Sequence, residues 1–82
     1  MSKTEKHIEY YPFPILNGQK SIEETFKDGK LNGLGTEWYE NGQKKYEATF
    51  KGGEIISEKC WDEDGYEREC YYMKRLWHGW YE

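Results

Sequence analysis

Asn17-Gly18-Gln19-Lys20 and Phe26-Lys27-Asp28-Gly29 return 24 residues later as Asn41-Gly42-Gln43-Lys44 and Phe50-Lys51-Gly52-Gly53. Self-similarity at such a period marks a chain that stacks one supersecondary unit, because a single copy cannot bury its own apolar face. A weaker third copy follows. Trp38-Tyr39-Glu40-Asn41-Gly42 is echoed by Trp61-Asp62-Glu63-Asp64-Gly65 at a spacing of 23, and Leu31-Asn32-Gly33 more loosely by Trp77-His78-Gly79. One repeat domain over 1–82 is therefore expected, with copies over about 16–39, 40–62 and 63–82 and a degenerate start over 1–15. Function should then reside on a surface shared by the copies before it resides in a catalytic pocket.

The repeated residues identify the unit as a β-hairpin. Lys45-Tyr46-Glu47-Ala48-Thr49-Phe50 alternates apolar with polar, the period of a half-buried strand, and Thr36-Glu37-Trp38-Tyr39 leads into it. Between them lies Glu40-Asn41-Gly42, and Asn-Gly between alternating runs is a strong hairpin signal because both residues tolerate positive φ. A three-residue loop sets Tyr39 opposite Gln43, Trp38 opposite Lys44 and Thr36 opposite Tyr46, so that Trp38, Tyr46, Ala48 and Phe50 share the core face. Carried by the repeat, that face gains Ile22 and Phe26 on one side and Trp61, Tyr71 and Met73 on the other. Leu31 and Ile55 are expected to tuck under the glycine-rich turns that join one hairpin to the next. Gly18, Gly29, Gly33, Gly42, Gly53 and Gly65 are the turn glycines. The fold class is all-β, an open antiparallel meander of about five or six strands. The one run with acidic residues and a helix cap, Ser21 to Lys27, is strand-like in its second copy and is read as a strand. Tyr10-Tyr11-Pro12-Phe13-Pro14-Ile15 occupies a strand position, but its prolines confine it to an edge or a cap.

Composition bounds the rest. Only twelve of 82 residues are Ile, Leu or Phe and none is Val, whereas fifteen are aromatic; the aromatics supply the apolar area of a thin core and keep polar tips for water. The net charge of −4 argues against a nucleic-acid partner, since a phosphate backbone rewards a basic face. No apolar run is long enough to span a bilayer and Met1 to His7 has no signal-peptide core, so a cytoplasmic chain is expected. Cys60 and Cys70 are too few for a disulfide scaffold and are expected to be reduced thiols. The hairpin register sets Cys60 opposite Arg68 with Cys70 one diagonal step away, an approach that also leaves a disulfide open.

The unit from Gly33 through Glu37-Trp38-Tyr39-Glu40-Asn41-Gly42-Gln43-Lys44-Lys45, Glu47 and Phe50-Lys51-Gly52-Gly53 resembles the MORN-variant repeat. The likeness covers roughly Leu16 to Tyr81, though Met73-Lys74-Arg75 stands where that pattern has a glycine-bearing turn. Such repeats are similar to those of bacterial antitoxin or immunity proteins and of protein- or lipid-binding platforms. The resemblance implies a hairpin array with a binding role and no catalytic residues.

Chemistry-bearing motifs are sparse. His7 and His78 stand in no metal-ligand spacing, and a zinc site built from Cys60, Cys70 and His78 has no motif behind it. Ser2, Ser21 and Ser57 lack a nucleophile-elbow context. Asp62-Glu63-Asp64-Gly65 lacks the ligand spacing of a calcium loop and reads as a turn, and Gly33-x-Gly35 has no third glycine for a phosphate loop. No enzyme activity, metal or cofactor is therefore expected. Tyr39, Tyr66, Tyr72, Trp77, Trp80 and Tyr81 exceed what so thin a core can absorb, and exposed Tyr and Trp are the residue types of binding hot spots. They are the candidate partner-binding residues, with Leu76 to Tyr81 foremost. The expected partner is another protein, a toxin among the candidates, and an unpaired sheet edge offers self-association. The alternative is a lipid-surface module built on Lys27, Lys30 and Lys51, weakened by the carboxylates that alternate with lysine along the strands.

Overall fold

The structure, a computed structural model, describes residues 3–12 and 18–79, the last five through their backbone alone. Seven strands form one antiparallel sheet: β1 (Thr4–Tyr10), β2 (Lys20–Lys27), β3 (Lys30–Leu31), β4 (Gly33–Trp38), β5 (Lys44–Lys51), β6 (Glu54–Trp61) and β7 (Glu67–Arg68), followed by a helix, α1 (Cys70–Gly79). The order across the sheet is β1-β2-β4-β5-β6-β7, with β3 beside β2. Strands adjacent in the chain are adjacent in space, so the fold is the all-β open meander that the repeat predicts. No helix among the described residues is long and apolar enough to cross a membrane.

The turns behave as their residues require. Tyr39 N–H donates to Gln43 O at 2.8 Å and Gly42 N–H to Tyr39 O at 3.0 Å; the third copy repeats both, with Asp62 N–H to Tyr66 O at 2.9 Å and Gly65 N–H to Asp62 O at 3.0 Å. Gly42 and Gly65 sit at φ of 88° and 91°, where a Cβ would be strained. Gly18, Gly29, Gly33 and Gly53 share that left-handed sign. The N-terminal copy closes with the same bond, Tyr11 N–H to Gln19 O at 2.8 Å. Of the segment expected to cap the array, Tyr10 ends β1 and Pro12 follows it outside the ladder; Phe13 to Asn17 lie outside the described residues.

One face of the sheet carries Ile22, Phe26, Tyr46, Ala48, Phe50 and Cys60. Phe50 lies across Gly35, where a Cβ would come within 3.1 Å of its ring. Among the described residues, Ala48, Cys60 and Met73 are the buried apolar side chains. Two parts of the expected register fail for one reason. Trp38 opposes Lys44 as predicted, but Glu37 opposes Tyr46 and Thr36 opposes Glu47, because β5 bulges at Lys45. The extra residue throws Trp38 onto the face opposite Tyr46. It also brings Lys44 and Glu47 to one side, where they pair at 2.6 Å. β2 bulges at the equivalent Ser21, and Lys20 pairs with Glu23 at the same 2.6 Å. The 24-residue repeat thus encodes the irregularity along with the strand. Trp61 likewise falls on the Trp38 face.

Tyr71 and Met73 are not a sheet column. Beyond Arg68 the alternation ends and Cys70-Tyr71-Tyr72-Met73-Lys74-Arg75-Leu76-Trp77-His78 runs without glycine to Gly79, so the segment winds into α1, opening with Met73 N–H to Glu69 O at 3.1 Å. The Glu69 carboxylate stands at the positive end of the helix dipole. Met73 is still buried, from the helix side, whereas Tyr71 is 76% exposed. Ile55 does not tuck under its turn either and is 46% exposed, because β7 covers only Cys60 and Trp61 and leaves the rest of β6 as an edge.

Candidate functional site

The end of the sheet where the repeat breaks down carries the exposed Tyr66, Tyr71 and Tyr72, whereas Tyr10 is exposed at the far edge. Asp62 Oδ1 accepts the N–H groups of Asp64 and Tyr66, both at 3.0 Å, a local arrangement that short acidic side chains favour in turns. Its Oδ2 takes the Arg68 Nε–H at 2.8 Å. The Arg68 guanidinium, first, and those backbone donors hold Asp62 below the usual carboxylate range. Arg68 also lies 5.9 Å from the centre of the Tyr66 ring. Asp62, Glu67, Arg68, Glu69, Tyr72 and Met73 line an open cleft of about 690 Å³ between the β6–β7 turn and α1. Arg68 is neutralised by Asp62, whereas Glu67 and Glu69 make no ion pair with any described residue. Among the described residues the lining is therefore acidic; Tyr72, 56% exposed, is part of it, and Tyr66 and Tyr71, 66% and 76% exposed, adjoin its members Glu67 and Tyr72 in the chain.

Among the described residues, the helix is fixed to the sheet at three points. Cys60 and Cys70 form a disulfide with a Cα separation of 5.1 Å, which overturns the expectation of reduced thiols. The physical reason is the register: Cys60 opposes Arg68, and the helix begins two residues later, so the first helical side chain returns to β6. Met73 is buried one turn further along. Lys74 then reaches Glu58 at 2.9 Å and lies 5.0 Å from the centre of the Tyr46 ring, while Tyr46 Oη–H donates to Glu58 at 2.8 Å. Lys74, then Tyr46, lower the Glu58 carboxyl. Burial, then that hydrogen bond, push the Tyr46 hydroxyl well above its ordinary value.

The predicted site residues divide. Tyr72 lines the cleft, and Tyr66 packs against Arg68, another of its lining residues. Tyr39 is spent within the sheet: its hydroxyl donates to Trp61 O at 2.8 Å and Lys45 lies 5.8 Å from its ring centre. Trp77 belongs to α1 with its side chain undescribed, and Trp80 and Tyr81 lie outside the described residues, so the Leu76 to Tyr81 segment stays unplaced as a surface. Sequence reasoning put Tyr71 on the core face, and it missed the Lys74–Glu58–Tyr46 clamp. Only the helix could have revealed these, and its signal was the glycine-free run after Glu69.

The remaining candidates are scattered. His7, on β1 at the far edge of the sheet, bonds Glu9 at 2.9 Å with both side chains exposed. With the two sulfurs joined there is no free thiol among the described residues. No group of three His, Cys, Asp or Glu among them has the geometry to hold a metal. Lys27, Lys30 and Lys51 do not form a carboxylate-free patch, since Lys51 pairs across the ladder with Glu54 and Asp28 follows Lys27 directly. No family model, curated protein or solved structure matches the chain.

Proposed function

We propose that this chain is a non-catalytic, MORN-like repeat module that binds another protein through the β6–β7–α1 end of its sheet, and that its partner offers a basic segment. The carrying observation is a cleft lined by the exposed Tyr72 and by Glu67 and Glu69, which have no cation of their own among the described residues, with the exposed Tyr66 and Tyr71 next to its lining residues in the chain. Tyrosine brings large contact area with few rotatable bonds, the property that concentrates binding energy in hot spots. Unpaired carboxylates at such a site steer a basic partner and raise its association rate, an effect that falls with salt. An antitoxin or immunity role, in which the module occludes a toxin, is the biological form of this reading.

The test is photo-cross-linking from position 71, in cells, followed by binding measurements on the captured protein. Replacing Tyr66 and Tyr72 together by Ala is expected to weaken binding by about 30-fold or more, the range of hot-spot truncations. Replacing Glu67 and Glu69 by Gln is expected to flatten the salt dependence of the association rate. A partner unaffected by all four substitutions, or chain that floats with liposomes and captures no protein, would refute the reading.

A further inference from the structure

The two sulfurs that tie α1 to the sheet sit in unequal surroundings. Cys60 is wholly buried within β6, between Tyr46 and Arg68 in the ladder, whereas Cys70 opens the helix and keeps part of its exposure. The helix they anchor has ten residues, shorter than the roughly 12–15 below which isolated helices are marginal in water. Its other ties among the described residues are Met73 and the Lys74 clamp on Glu58 and Tyr46. The cleft draws Tyr72 and Met73 from the helix and its other walls from the β6–β7 turn and the segment after it. Both the disulfide and the cleft thus depend on one docking.

We propose that the Cys60–Cys70 bond is a thiol–disulfide exchange site, attacked at Cys70 by a dithiol reductant, and that opening it releases α1 and dismantles the cleft. A reductant thiolate bonds to the Cys70 sulfur, the S–S bond breaks, and Cys60 departs as a thiolate that takes a proton from water. The second thiol of the reductant then attacks the reductant's own sulfur in the mixed disulfide. Cys70 leaves as a thiolate and is protonated, and the reductant ends as a disulfide, so two electrons and two protons pass to the protein. A glutathione- or thioredoxin-buffered compartment would hold the switch open, and an oxidising one would hold it closed. The consequence for binding rests on the function proposed above; the exchange chemistry does not.

Three measurements on the full chain test it. The oxidised chain, treated briefly with glutathione and then alkylated, should carry the glutathione adduct on Cys70 in preference to Cys60 by about tenfold, because access selects the sulfur attacked. Reduction with dithiothreitol should speed amide exchange in α1 by about tenfold or more while β2, β4 and β5 stay within about twofold. The Cys70→Ser variant should reproduce the fast exchange without any reagent. Adduct found mainly on Cys60, α1 protection unchanged by reduction, or two freely alkylated thiols after exposure to oxidised glutathione would each overturn the proposal. If α1 is released but the cross-linked partner binds as before, the exchange site stands and the cleft falls as the partner surface.

Discussion

The segments Trp38–Gly42 and Trp61–Gly65 enter the same turn, closed by the same two backbone hydrogen bonds, and leave it differently. After Gly42 the chain runs eight residues as β5 in the middle of the sheet; after Gly65 it runs two residues as β7 and becomes a helix. The turn needs only a glycine at positive φ and a few local bonds, so it survives divergence. Strand length needs alternation over the residues that follow. Tyr46, Ala48 and Phe50 supply it in one copy, and Glu69, Tyr71 and Met73 stand at the matching positions of the other without forming it. The repeat clasp diverges too. Tyr39 reaches across to Trp61 O, but Asp62, its counterpart, turns back onto Arg68. The repeated half of the molecule is thus closed on itself, and the divergent end is held by a covalent bond and an ionic clamp and exposes its tyrosines.

Adding one methyl group to each half should separate them most. Gly35→Ala places its Cβ 3.1 Å from the Phe50 ring and 3.9 Å from Glu24, inside the central strand, and overpacking of that kind costs about 1–3 kcal/mol. Gly65→Ala meets only the flexible end of the Gln43 side chain, also at 3.1 Å, and its cost is the positive φ, about 1 kcal/mol. Urea unfolding of the two variants checks the order. If Gly65→Ala proves the more damaging, the divergent end is as integral to the fold as the repeat.

A smaller effect should come from the clasps. Tyr11 and Tyr39 each donate a hydroxyl hydrogen bond to a tryptophan carbonyl of a later copy, Trp38 and Trp61. Tyr11→Phe and Tyr39→Phe should each cost about 1 kcal/mol, which lowers Tm by about 4–8 °C in a domain of this size. A Tyr39→Phe change without thermal effect would mean that this clasp contributes nothing to holding the divergent end on the repeats.

How much of this was legible in the sequence follows the same division. The hairpin turns, the meander, the core positions of Ile22, Phe26, Ala48 and Phe50 and the facing of Cys60 with Arg68 can be read because turn chemistry and period-2 burial are local. The bulges at Ser21 and Lys45 could not be read from alternation, which assumes one residue against one; the Lys20–Glu23 and Lys44–Glu47 pairs three apart in a strand are their trace. The helix α1 was missed, and the disulfide stood only as the lesser alternative to reduced thiols. A ten-residue helix makes only about three turns and leaves a short periodic signal, and its position depends on a bond between residues ten apart. Tyr66 and Tyr72 were legible as surplus aromatics, but Tyr39, equally surplus on paper, is consumed by a contact 22 residues away.

The smallest prediction uses two carboxylates of opposite behaviour. Glu37, between Ile22 and Tyr46 in the ladder, is raised above the usual carboxylate range, first by burial, with Glu24 and Glu9 adding to it and Lys45 opposing. An acid whose folded-state value lies above its unfolded value contributes stability below the unfolded value of 4.5, and that contribution is lost as pH rises through the folded value. Glu37→Gln should therefore match the parent near about pH 4 and exceed it at neutral pH, by less than about 1 kcal/mol because the group keeps part of its hydration. Glu58, at the divergent end, is lowered by Lys74 and Tyr46, so its contribution is present above 4.5 and lost as pH falls through the folded value. Glu58→Gln should then destabilise at neutral pH and converge with the parent in acid. Urea midpoints at the two pH values decide the matter. Two variants moving in the same direction at neutral pH would erase the electrostatic contrast between the halves, because burial would then govern both sites and the clamp on α1 would contribute nothing.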